Sequence, residues 1–152
     1  MAVFFKFEAD FVDSLRCIPM QVRYKLDTCG IKLKLSDWSH MTKVERETLV
    51  ERPCTTEGEI QAYREYLENL ILQRSGTPPT TLFIEPYPAW MDATNVPDKL
   101  QQKAEEIGTN ITPQQWKDLT PLQRFSLIKL SRPGHENENF PKAIAEFNLV
   151  SG

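Results

Sequence analysis

The sequence predicts an all-α fold: an internally duplicated three-helix unit with a proline-aromatic connecting strap. Three observations predict it. Thr-x-x-Glu/Gln capping boxes at Thr42, Thr56, Thr112 and Thr120 each stand before a run with helical spacing of apolar residues. A shift of 78 residues, which carries Pro19 onto Pro97, also carries Gly30 onto Gly108, Trp38 onto Trp116, Thr42 onto Thr120 and Arg46 onto Arg124. No gap is needed across Pro19–Val50, and rare residues keep register, as an internal repeat requires. Between the copies lies a stretch too rich in proline for helix and too rich in aromatics for a disordered linker.

Taken in order, "VFFKF" near the start reads as a brief strand. Glu8, Asp10 and Asp13 cluster beside Phe11 and read as first-turn helix charges, not general acids. Leu15, Ile18, Val22, Leu26 and Cys29 are spaced as a helical stripe, with Pro19 at a helix start and Gly30 ending it in the left-handed conformation. Ile31, Leu33 and Leu35 alternate with lysines, which predicts a short extended link. A short helical turn then carries Trp38, and Thr42 and Thr56 start two further helices. In the second of these, Ile60, Tyr63, Leu67, Leu70 and Ile71 share one face.

Repeat one is set at about residues 10–74, the strap at 75–96 and repeat two at about 97–150, all within a single domain 1–152. The strap holds Pro78, Pro79, Pro86 and Pro88, together with Leu82, Phe83, Ile84, Tyr87 and Trp90, and it reads as ordered chain packed over the copies. In repeat two, Thr112-Pro113 opens a two-turn helix bearing Trp116 and Leu119. Thr120-Pro121 opens a longer one with Leu122, Phe125 or Ser126, Leu127, Ile128 and Leu130 on its apolar side, ended by Pro133-Gly134.

Bulk properties narrow the function. The net charge of −3 opposes general nucleic-acid binding, which needs a basic surface. The helices opened by Thr42 and Thr120 are too acidic or too apolar to read a DNA groove. No apolar run approaches the ~20 residues of a membrane helix, and the N-terminus has no signal-peptide pattern. Three cysteines, an odd number, suit a reducing compartment, so a cytoplasmic protein is expected.

His40 and His135 stand far apart, and no CxxC, HExxH or GxGxxG occurs. No metal site, cofactor or catalytic residue is therefore expected. Cys54 stands just before the helix of Thr56, where a helix end lowers a thiol pKa, but the favoured reading is an unreactive, part-buried thiol. A small thiol or redox protein using Cys17, Cys29 or Cys54 is the alternative function. Arg46 follows Trp38 by eight residues, as Arg124 follows Trp116. Two readings stand: a guanidinium over the ring, or a core tryptophan beside an ion-pairing arginine. Seven glutamates between 45 and 68 contrast with the basic stretch Arg16, Arg23, Lys25, Lys32 and Lys34. For a protein-binding surface the candidates are Phe83, Tyr87 and Trp90 on the strap, with Arg16, Arg23, Lys32 and Lys34.

The strings "FKFEADFVDSLRCIPMQVRYKLDTCGIKLKLSDW", "ERPCTTEGEIQAYREYL" and "WKDLTPLQRFSLIKLSRPGHENENF" resemble the nitrate reductase-associated protein family, and they span nearly the whole chain. That family is small, single-domain and mostly cyanobacterial. The resemblance implies a soluble, non-catalytic accessory protein needed for active assimilatory nitrate reductase, a ferredoxin-dependent molybdenum and iron–sulfur enzyme. It implies the nitrate reductase polypeptide as partner, and assembly or maturation as the role. It carries over no catalytic residue.

Overall fold

Helix α1 (Met20–Cys29) begins at a residue that cannot cap it: Pro19 stands at the N-cap and offers no side-chain acceptor. The buried carboxylate of Glu8 serves instead. Its Oε2 accepts the Met20 amide at 2.8 Å and its Oε1 the Phe5 amide at 3.1 Å. An acceptor carrying negative charge at a helix N-terminus satisfies an orphan donor and complements the macrodipole. This bond also fastens the 3-10 turn Lys6–Glu8 to the helix, so "VFFKF" forms no strand in its described part. The computed structural model describes residues 4–9, 15, 17–132 and 139–149. Asp10, Phe11, Asp13, Arg16, Pro133, Gly134, His135 and Val150 lie outside the described residues.

Leu15 and Ile18 are buried as the stripe requires, but they precede the helix, and Leu15 has a positive φ of 53°. Gly30 ends α1 with φ 80°. It is required there twice over, since a Cβ on it would lie 2.8 Å from Cγ1 of Ile84. The expected extended link is a two-residue strand, β1 (Ile31–Lys32), paired antiparallel with β2 (Thr80–Thr81). Ile31 and Leu33 face inward, whereas Leu35 is 59% exposed. Leu35 opens helix α2 (Leu35–Ser39), and the change from a two-residue to a 3.6-residue period turns it out of the alternation.

Helices α3 (Lys43–Glu51) and α4 (Glu57–Ser75) start from Thr42 and Thr56 with complete capping boxes. The carboxyl end of α3 is closed from elsewhere. Lys25 Nζ donates to the carbonyls of Val50 at 2.6 Å and Arg52 at 2.7 Å, and the Tyr63 hydroxyl donates to that of Leu49 at 2.8 Å. A cation at a helix C-terminus is favourable, and the last carbonyls otherwise lack partners. Burial pushes the Lys25 amine below its ordinary range, partly offset by nearby Cys54 and Glu51. Trp38, Leu49, Tyr63 and Leu67 form the centre of this core with Val22 and Cys29.

Packing divides the chain into two compact units, residues 1–84 and 85–152. The elements so far belong to the first. The second holds a 3-10 turn (Ala89–Met91) and four helices: α5 (Asp98–Glu106), α6 (Pro113–Asp118), α7 (Pro121–Ser131) and α8 (Asn139–Glu146). The described residues are thus mostly helical, with eight α-helices and two short strands.

Thr112 and Thr120 cap α6 and α7 with Gln115 and Gln123, each with proline in the first turn. Gln101 ties α5 to the following chain by a two-way amide bridge with Ile111, at 2.7 and 3.0 Å. Helix α7 packs on α8, and Trp116, Phe125, Leu127, Leu130, Phe140, Ala143 and Ile144 are all buried. Gly108 follows α5 with φ 79°, as Gly30 follows α1.

Candidate functional site

Each unit contains one tryptophan–arginine clamp. In the first, Trp38 is fully buried and its Nε1 donates to the Leu15 carbonyl at 2.7 Å. Arg46 Nε donates to the Trp38 carbonyl at 3.0 Å and Nη2 to that of Ser39 at 2.9 Å. Its guanidinium carbon lies 5.8 Å from the Trp38 ring centroid. In the second, Trp116 is fully buried and its Nε1 donates to the Asp92 carbonyl at 2.7 Å. Arg124 Nε donates to the Trp90 carbonyl at 2.7 Å, and its Nη1 to Leu119 at 2.8 Å, Trp116 at 3.3 Å and Lys117 at 3.5 Å. Both tryptophans are core anchors. Both arginines bind the carbonyl of the tryptophan eight residues before them, a role the sequence reading had not assigned.

These bonds explain how the strap is held. In the first unit the Leu82 amide donates to the Gly30 carbonyl at 2.8 Å, continuing the β1–β2 pairing. In the second unit the clamp takes the carbonyls of Trp90 and Asp92. The Trp90 ring stands edge-on to Phe125 with centroids 5.0 Å apart, so Trp90 is half-buried. Phe83 and Tyr87 are different: 83% and 92% exposed. Prolines Pro86 and Pro88 flank Tyr87 and restrict the backbone there. Met91, between Trp90 and Asp92, is a further exposed apolar residue that the sequence reading missed, and no periodic signal marks it.

The basic stretch is less uniform than its composition. Arg16 lies outside the described residues. Arg23 is half-buried and its Nε donates to the Ile18 carbonyl at 3.2 Å. Lys32 and Lys34 are exposed, on the outward positions of the segment whose Ile31 and Leu33 are buried. Lys25 is spent on the end of α3.

Two of the three thiols are shielded by burial. Cys29 and Cys54 are buried, and burial pushes their pKa values up to about 11 and about 12. For Cys54 desolvation outweighs the opposing charge of Lys25, in keeping with an unreactive thiol. Cys17 is half-buried and free. Among the described residues no group of three His, Cys, Asp or Glu side chains converges as a metal site, and no helix is long and apolar enough to cross a membrane.

Two clefts lie in the second unit. One of about 570 Å³ is lined by Pro97, Leu100 and Ile128 with Lys99 and Arg132. Another of about 310 Å³ is lined by Asp118, Glu146 and Asn148 beside Phe147. The first also carries Asp98 and Ser131, whose hydroxyl donates to the Ile128 carbonyl at 2.8 Å.

Comparison with curated proteins and with solved structures finds no match. The family described as conserved nitrate reductase-associated protein matches residues 4–147, and the chain belongs to that family.

Proposed function

We propose that this chain is a non-catalytic accessory protein that binds the nitrate reductase polypeptide and supports its maturation or activity in the cytoplasm. The family supplies the association with nitrate reductase. The observation that carries the binding mode is the exposure of Phe83 and Tyr87 on proline-restricted chain that is pinned on either side of them. A restricted segment loses little conformational entropy on docking. Large aromatics are the side chains that become interface hot spots when a partner desolvates them. Trp90 contributes through its remaining exposed edge while its packed face fixes the turn. Lys32 and Lys34 add positive charge that steers an acidic partner.

The test uses cells that lack this chain and make nitrate reductase. Phe83→Ala/Tyr87→Ala is expected to keep the wild-type melting temperature and to restore less than half of the reductase activity that the wild-type chain restores. Full restoration by the folded double variant would contradict the assigned surface.

A further inference from the structure

We draw no further inference here: the strongest candidate, the cleft of about 570 Å³ in the second unit lined by Leu100 and Ile128 with Asp98, Lys99 and Arg132, carries nothing, because its charged side chains are of both signs and nothing among the described residues shows what covers it.

Discussion

The two tryptophan–arginine clamps use the same residues at the same spacing but carry different loads. Arg46 is half-buried and donates to the carbonyls of Trp38 and Ser39 in the preceding helix α2. Arg124 is 6% exposed and reaches four carbonyls, one of them 34 residues away at Trp90. The difference lies in what precedes each unit's first helix. In the first unit the Trp38 indole holds Leu15, and Glu8 holds the start of α1. In the second, the indole and the guanidinium together hold the strap at Asp92 and Trp90. One sequence pattern therefore joins α2 to α3 in one place and reaches the strap in the other.

Truncating either tryptophan sharpens the common part of this comparison. Trp38→Ala and Trp116→Ala are each expected to cost about 3–5 kcal/mol, the scale for removing a large buried aromatic, in denaturant unfolding. The arginines should separate. Arg124→Ala removes a buried charged donor from the Leu119 and Trp90 carbonyls and is expected to cost about 3 kcal/mol, whereas Arg46→Ala, beside solvent, should cost about 1 kcal/mol. Equal losses would break the distinction between the buried and the half-buried arginine.

A third effect is confined to the first unit and to alkaline pH. The raised thiol pKa values mean that Cys29 and Cys54 hold protons in the folded chain that the unfolded chain releases above about pH 9. Their stabilisation is complete below that pH and is lost as pH rises toward 11 and 12. Tyr63, whose pKa burial also raises, acts in the same direction, and Lys25, whose pKa burial lowers, opposes them. The expected loss approaches 1 kcal/mol per pH unit per thiol. Comparing unfolding at pH 8 and pH 10.5, Cys29→Ala/Cys54→Ala should show a shallower decline than the wild type.

The smallest expected effect on stability is at the exposed end of the strap. Tyr87→Ala should change unfolding free energy by less than about 0.5 kcal/mol, as surface substitutions do.

Much of the helical frame was legible because its signals are local. Thr42, Thr56, Thr112 and Thr120 each bring their own N3 partner, and Gly30 marks its helix end by a backbone conformation that few other residues adopt. After Pro19 the chain forms α1, β1 and α2 to α4, and after Pro97 it forms α5 to α8. The non-local partners were not legible. Nothing adjacent to Lys25 announces that it closes α3, and nothing near Arg124 points to Trp90. Glu8 was read as a first-turn charge of its own segment, when its carboxylate caps a helix twelve residues later.

For the candidate surface, composition located the aromatics but could not separate Trp90, which packs on Phe125, from Phe83 and Tyr87, which do not pack. That difference depends on which side chains α7 presents to the turn. The same limit applied to Arg23, whose charge was visible and whose bond to Ile18 was not.

The central claim is that exposed aromatics on a pinned strap bind the nitrate reductase polypeptide. Calorimetric titration of the purified chain into the purified polypeptide tests it most directly, with the melting temperature of every sample recorded. The account expects saturable binding by the wild type and at least a tenfold weaker complex for Phe83→Ala/Tyr87→Ala at an unchanged melting temperature. Equal affinity in the folded double variant, or no heat of binding from the wild type, would contradict it.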